Sequence, residues 1–324
     1  MAKRWLTVIV VLILGALAAF LALRKPAPAP EQTPLTLMLD WFPNADHVPL
    51  YVAQQKGWFE QAGLKVTFQV PAATADPLKL AAAGQVDLAV NYQPEVVIAR
   101  SEGLPVVSIG VLVEHPLTTV LFLKDSGIEK PQDLSGRTIG YAVPHLQEIL
   151  FKAFAEKNGI TDYRLQNVGF DITPALLTHR VDAVIGAYRN YEKNELELEG
   201  HPAGFFPLEQ YGIPDFYELV VITSEATLKA KRPALRAFVE TLQRAIDYCR
   251  AQPDSALALY FAANPDVRKD LDRKAFFDTL PLYAHSQVQD PDRWSSFVDF
   301  ALEYGLIQKR PAPPLFVNLV EAQP

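Results

Sequence analysis

The sequence predicts an α/β protein of two lobes, and three observations carry that prediction. From Leu35 onward, short apolar runs alternate with helical patterns, as βαβ units do. A helix followed by a Val-Asp strand occurs twice, at Val86-Asp87 and at Val181-Asp182, so the two lobes look pseudo-equivalent. Beyond Ser224 the pattern is almost wholly helical. A composition of 49% apolar and 21% charged residues suits a packed core and excludes disorder as the main state.

In the first lobe LTLML (35 to 39) reads as a strand. Asp46 is placed to cap a helix through VPLYVAQQKG, with Pro49 in its first turn, and Gly63 ends the short WFEQA segment. KVTFQV (65 to 70) is the next strand; a helix around PLKLAAAG leads to the strand VDLAVNY (86 to 92). Pro94 then opens a helix that stops at Gly103, and PVVSIGVLV (105 to 113) closes the group. The second lobe takes TTVLFLK, RTIGYAV (137 to 143), a helix over 145 to 158, YRLQNVGF, a short helix over PALLTHR, and VDAVIGAY (181 to 188). After FYELVVITS (216 to 224), Pro233 opens a helix with Phe238, Leu242, Ala245, Ile246 and Cys249 on one face. Cys249 reads as core, Trp58 as packing at a helix-to-strand junction, and ELELEG (195 to 200) as a solvated helix end.

Lys3 and Arg4 precede residues 5 to 23, nineteen apolar positions without a charge, and no small-x-small cleavage site follows. Residues 1 to 25 are therefore expected to act as a signal peptide or an uncleaved membrane anchor that exports the rest. Residues 26 to 34, PAPAPEQTP, form a stiff spacer. From residue 26 on, the chain carries 26 Lys and Arg against 37 Asp and Glu, which opposes binding to a phosphate backbone; no nucleic-acid partner is expected.

The single cysteine excludes a disulfide framework. His115, His145, His179 and His201 lie at connections without HExxH spacing, so no metal is expected. No GxSxG, GxGxxG or GxxxxGK[ST] string is present, and the hydrolase, dinucleotide and ATP readings lose their usual signals. Ligands of open α/β sheets bind beyond the carboxyl ends of the strands, and here those loops are aromatic: Asp40-Trp41-Phe42-Pro43-Asn44, Asn91-Tyr92-Gln93, and Tyr188 to Glu192. Aromatic faces from two lobes with a carboxylate suit a flat, amine-bearing ligand. His47 follows the first loop as a ligand, a base or a local first-turn residue, and Tyr191 reads as packing with its ring opposed to Tyr188.

LDWFPNADHVPLYVAQQKGWF, GQVDLAVNYQPE, DLSGRTIGY and VDAVIGAYRNYE, in this order and spacing, resemble the ThiY-like thiamine-pyrimidine-precursor binding proteins of the NMT1/THI5-like superfamily, from about residue 34 to about 315. The resemblance implies a type II periplasmic binding protein fold. Its two lobes would be joined by crossovers near 114 to 118 and 222 to 226, and it would feed an ABC permease and ATPase. The first lobe would comprise 35 to 115 and a mainly helical completion, 224 to 324; the second would comprise 116 to 223. The resemblance places Trp41 and Tyr92 as aromatic contacts of the first lobe and Tyr188, Asn190 and Glu192 as contacts of the second, with Asp40, Asn44 and His47 matching the first-loop string. Arg189 stands where such proteins often carry an aromatic residue.

An enzymatic branch of the superfamily makes the pyrimidine from pyridoxal phosphate and a histidine of its own chain, and resembles this sequence at His47. That branch has a cysteine-rich iron motif near the second crossover and a cofactor lysine at the position of Asn91. FYELVVITS holds no cysteine and Asn91 cannot form a Schiff base, so no enzyme activity and no cofactor are expected. The expected function is extracytoplasmic binding of a thiamine-related aminopyrimidine, of the formylaminopyrimidine or hydroxymethylpyrimidine type. The alternatives are another aromatic solute such as riboflavin or, in a different class, a pyrimidine synthase. A sulfonate or nitrate would call for cationic contacts where these loops offer Asp40 and Glu192.

Overall fold

The computed structural model describes residues 32 to 321, so the expected membrane segment at 5 to 23 lies outside the described residues, as does nearly all of the spacer. In β1 (Thr33–Met38), Leu35 and Leu37 alternate onto a buried face, as a period of two requires. The first lobe continues through α1 (Val48–Gln55), α2 (Trp58–Gln61), β2 (Leu64–Gln69), α3 (Asp76–Ala82), β3 (Leu88–Asn91), α4 (Gln93–Ser101) and β4 (Val106–Val113). The chain then crosses into β5 (Thr118–Leu123), β6 (Thr138–Tyr141), α5 (Leu146–Asn158), β7 (Arg164–Asn167), α6 (Ile172–Leu177), β8 (Ala183–Tyr188), α7 (Glu192–Leu198) and β9 (Ala203–Pro207). It returns as β10 (Leu219–Ser224), α8 (Glu225–Ala251), α9 (Pro253–Ala263), α10 (Lys269–Thr279) and α11 (Pro291–Glu303).

The strands form two five-stranded sheets, ordered β2-β1-β3-β10-β4 and β7-β6-β8-β5-β9. In each sheet one strand opposes the other four: β10 lies antiparallel to β3 and β4, and β5 lies antiparallel to β8 and β9. Each is the first strand laid down after the chain crosses from one lobe to the other. The repeated Val-Asp pairs do the same work in both. Asp87 accepts from the Thr36 backbone N–H at 2.9 Å while its own N–H donates to the Thr36 carbonyl at 3.1 Å. Asp182 repeats this exchange with Thr138, at 2.8 Å in both directions. A basic side chain neutralises each: Lys231 lies 2.7 Å from Asp87 and Arg137 lies 3.2 Å from Asp182.

Four expectations need correction. The second crossing comes earlier than 222 to 226, because the apolar run LVVITS already pairs with β3 and β4 from Leu219; the stretch taken as the end of the second lobe, up to 223, therefore includes a strand of the first sheet. Asp46 caps no helix. Asn44 does so instead, its side-chain oxygen accepting from the Asp46 N–H at 2.8 Å, which frees the Asp46 carboxylate for other partners. The helix assigned to Pro233 begins at Glu225, where Ser224 Oγ accepts from the Thr227 N–H at 3.0 Å. It breaks at Lys231 (φ −121°), so that Pro233 opens the second segment, where a missing N–H costs nothing. β9 was not expected, since AGFFP is short and bounded by Pro, a pattern that suits a sheet edge. On the predicted face of α8, Phe238, Leu242, Ile246 and Cys249 are fully buried, at roughly 1.5 to 3 kcal/mol for each large apolar side chain. Trp58 packs edge-on to Tyr248 under the Arg244 guanidinium, as its junction position predicted.

Candidate ligand-binding site

A cavity opens where the carboxyl ends of β1, β3 and β8 meet the starts of β5 and β10, with an empty volume of about 630 Å³, its mouth included. Six of the eight anticipated residues line it: Asp40, Trp41, Asn44, Tyr92, Tyr188 and Glu192. Trp41 also reaches the second lobe, its ring meeting Phe170 edge-on at 4.5 Å, so lobe packing and cavity lining are one arrangement. Tyr191, read from the sequence as plain packing, lines the cavity too.

His47 and Asn190 do not line it. His47 is fully buried; Asp40 Oδ1 lies 2.8 Å from Nε2, and Nδ1 accepts from the Asn44 N–H at 3.4 Å, which requires the tautomer with its hydrogen on Nε2. Tyr92 Oη donates to the other Asp40 oxygen at 3.1 Å, so Asp40 is fully engaged in holding the aromatic loop and the tyrosine in place. The Asn190 amide points behind the cavity, donating to Asp46 Oδ1 at 2.8 Å and to Thr279 Oγ1 at 2.6 Å. These bonds tie the second lobe to the first, and the seam continues where Asn194 donates to Asp278 at 2.7 Å and Lys274 to Asn194 at 2.5 Å.

The carboxylates decide the electrostatics. Glu192 stands at the start of α7 and accepts from the Tyr188 N–H at 2.7 Å; burial pushes its carboxyl up to about 8. Glu218, in the second crossing segment, accepts from the backbone N–H groups of Leu117 and Thr118, at 2.5 and 2.7 Å, and from Thr118 Oγ1 at 2.7 Å. It thus fastens the two crossing segments to each other, and burial raises it to about 7 despite those donors. Asp46 is raised by burial to about 6. The buried Tyr188 hydroxyl has no hydrogen-bond partner among the described residues. Among the described residues, no Lys or Arg lines the cavity. Such a site stabilises a cation or an amine donor and penalises an anion. Among the described residues, no group of three or more His, Cys, Asp or Glu side chains is arranged to hold a metal ion.

Sequence reasoning missed Glu218, Asp46, Gln147 and Gly186. The signal for Glu218 was a lone acid inside the apolar string FYELVV. Gln147 Oε1 accepts from the backbone N–H groups of Ala142 and Val143 at 2.7 and 3.0 Å, which shapes the second-lobe wall. Gly186 has φ +96°, and a Cβ there would fall 1.9 Å from the Gln147 amide nitrogen.

Two lobes around a central cavity, each with a five-stranded sheet whose one antiparallel strand directly follows a crossover, define the type II periplasmic binding protein fold. Solved structures share it: the alkanesulfonate-binding protein SsuA from Xanthomonas axonopodis bound to MOPS has a TM-score of 0.67 at 18% identity, covering 88% of this chain and 97% of its own. The periplasmic aliphatic sulphonate binding protein SsuA of Escherichia coli has a TM-score of 0.66 at 15% identity, covering 92% and 96%. At such identities the likeness is one of fold. The chain belongs to the NMT1/THI5 like family, whose model matches residues 44 to 256. A Haemophilus influenzae protein named for thiamine biosynthesis is 40% identical over 89% of this chain and 92% of its own length. The formylaminopyrimidine-binding protein of Halalkalibacterium halodurans is 38% identical over 82% and 83%. The 4-amino-5-hydroxymethyl-2-methylpyrimidine phosphate synthase of Legionella pneumophila is 32% identical over 80% and 83%, so the family holds enzymes as well as binding proteins.

Proposed function

We propose that this chain is an extracytoplasmic solute-binding protein that closes over a thiamine-related aminopyrimidine, of the formylaminopyrimidine or hydroxymethylpyrimidine type, and delivers it to the permease and ATPase of an ABC importer. The observation that carries the reading is Glu192 at the amino end of α7, among the rings of Trp41, Tyr92 and Tyr188 in a cavity that no basic side chain of the described residues lines. An aminopyrimidine presents an exocyclic amine beside a ring nitrogen. One carboxyl group can accept from the amine and share a proton with the nitrogen while the aromatic faces enclose the ring. The name of the Halalkalibacterium relative supports this choice over riboflavin.

The chain is a carrier on this reading, and no covalent step takes place in it. The family also contains synthases, and the residues here fit a pyridoxal phosphate site poorly. Asn91 has no amine to form a Schiff base, and both ring nitrogens of His47, itself outside the lining, are already engaged by Asp40 and Asn44. Among the described residues no helix is long and apolar enough to cross a membrane. Residues 5 to 23 would tether the protein at the outer face of the plasma membrane, through the spacer at 26 to 34. A soluble product with a mature amino terminus near residue 24 to 30 would remove the tether and leave export intact.

Mass spectrometry of the small molecule released on denaturing the purified protein tests the function. An aminopyrimidine mass is expected, and a flavin or a sulfonate would overturn the assignment.

A further inference from the structure

Gln147 is the second residue of α5, is 6% exposed, and lines the cavity from the second lobe. Its Oε1 is held by two backbone donors, the N–H groups of Ala142 and Val143. Two donors on one atom fix which end of an amide is oxygen and which is nitrogen. Nε2 is therefore the end left toward the cavity. It lies against Gly186, another lining residue, where a Cβ would fall 1.9 Å from it, and it donates to no group among the described residues.

The other lining donors are engaged or differently placed. Tyr92 Oη gives its hydrogen to Asp40, Thr118 Oγ1 to Glu218, and Asn44 Nδ2 to the Phe42 carbonyl. Trp41 and Tyr191 are only half-buried, so water can serve them. The Tyr188 hydroxyl has no partner among the described residues, but it can turn its hydrogen and accept as readily as donate. Gln147 Nε2 is thus a buried donor, fixed in direction, in a cavity whose carboxylates otherwise offer acceptors. Such a donor calls for an acceptor on the ligand.

We propose that the Gln147 amide donates to the carbonyl oxygen of the ligand's side arm, and so makes the cavity select aminopyrimidines with a formylamino arm over those with a hydroxymethyl arm. The inference rests on the aminopyrimidine reading and chooses between the two types it allows. Ring nitrogen and exocyclic amine are common to both types, so Glu192 does not tell them apart. The arms differ. A formyl oxygen only accepts, whereas a hydroxyl is a weaker acceptor and brings a hydrogen that needs a partner of its own. The amino end of α5 also favours the partial negative charge of a carbonyl oxygen. An arm without an acceptor leaves the Gln147 N–H buried and unpaired, which is how a polar site rejects an analogue.

Titration uses three probes on one 4-amino-2-methylpyrimidine ring, carrying at C5 a formylaminomethyl arm, a hydroxymethyl arm, or a butyl arm that matches the first in heavy atoms and holds no acceptor. The native protein is expected to bind the formyl probe roughly tenfold or more tightly than each of the others. Gln147→Glu keeps an oxygen for the Ala142 and Val143 N–H groups, whose bonds hold its carboxylate ionised, and removes the donor. It should erase the preference for the formyl arm while changing affinity for the butyl probe less than about threefold. Equal native affinity for the formyl probe and either of the others would overturn the proposal. So would a preference retained in the variant, or an equal loss for all three probes, which would make Gln147 a wall residue only. If the native protein binds none of the three, the aminopyrimidine reading falls, and the inference with it.

The carbonyl stretch of the bound formyl probe, isotope-labelled at that carbon, reads the bond directly. It should lie at lower frequency in the native protein than in Gln147→Met, which removes the donor without adding a charge and so also covers the case in which Gln147→Glu does not fold. The same frequency in both proteins would overturn the proposal.

Discussion

Replacing Glu192 by Gln should weaken ligand binding and stabilise the empty protein, and the opposite signs follow from one number. Burial pushes the Glu192 carboxyl from an ordinary 4.5 to about 8. At ~1.4 kcal/mol per pH unit, ionising it in the empty cavity costs on the order of 5 kcal/mol more than in the unfolded chain. Glu195 and Asp46 add to the rise, while the N–H groups of Tyr188 and of Glu192 itself oppose it. Because the folded value lies above the unfolded one for an acid, the folded state holds the proton that the unfolded state has released. Stability therefore falls as pH rises from 4.5 to about 8, and the full cost is present above that.

Glu192→Gln removes the cost while keeping an acceptor for the Tyr188 N–H, 2.7 Å away in the native protein. At pH 8 its melting temperature should rise by roughly 10 to 20 °C, at roughly 2 to 4 °C per kcal/mol for large domains, and the gain should vanish below pH 4.5. Binding moves the other way. A neutral aminopyrimidine ring nitrogen can take the proton from Glu192, giving a paired ionic contact that an amide cannot match. With ~1.5 to 3 kcal/mol for a hydrogen bond to a charged group, affinity should drop roughly ten- to over a hundredfold. Native affinity should also decline above about pH 8, where the proton is no longer present. Isothermal titration across pH 6 to 9, with thermal melts of both proteins, measures all of this; equal affinity of the two proteins would refute the reasoning, as would a lower melting temperature of the variant at pH 8.

Gly186→Ala should cost about 2 kcal/mol or more in denaturant unfolding and weaken ligand binding, because a Cβ at φ +96° would displace the Gln147 amide that holds the Ala142 and Val143 N–H groups. Unchanged stability would show that the wall adapts. Asn190→Ala removes the two bonds from the second lobe to Asp46 and Thr279, so small-angle scattering of the liganded protein should show a larger open fraction and titration a weaker affinity. A native-like radius of gyration at saturation would count against the seam. Burial pushes the Cys249 thiol far above its ordinary range, and its side chain is fully buried in the core against the sheet. A thiol reagent should therefore label it only on unfolding; prompt labelling of the native protein would place it elsewhere.

Much of the architecture was legible in the sequence because it is local. Alternating apolar runs, glycines after helices and prolines in first turns placed all but one strand and most helices, and the repeated Val-Asp pairs exposed the pseudo-equivalence that Asp87 and Asp182 realise by the same backbone exchange with Thr36 and Thr138. The aromatic loops after β1, β3 and β8 were readable for the same reason: the ends of parallel strands are where such folds bind.

What only the tertiary structure decided is which polar groups meet. His47 and Asn190 sit in strings that point to ligand, yet partners 7 and 144 residues away, Asp40 and Asp46, claim them and turn them from the cavity. Asp46 looked like a helix cap because its neighbours allow it, until Asn44 took that role and burial gave the carboxylate to the cavity. Glu218 became a hinge fastener because the crossing segments pass side by side, 100 residues apart in sequence. A side chain's partner across the fold, and the cost of burying its charge, depend on distances that no local pattern encodes.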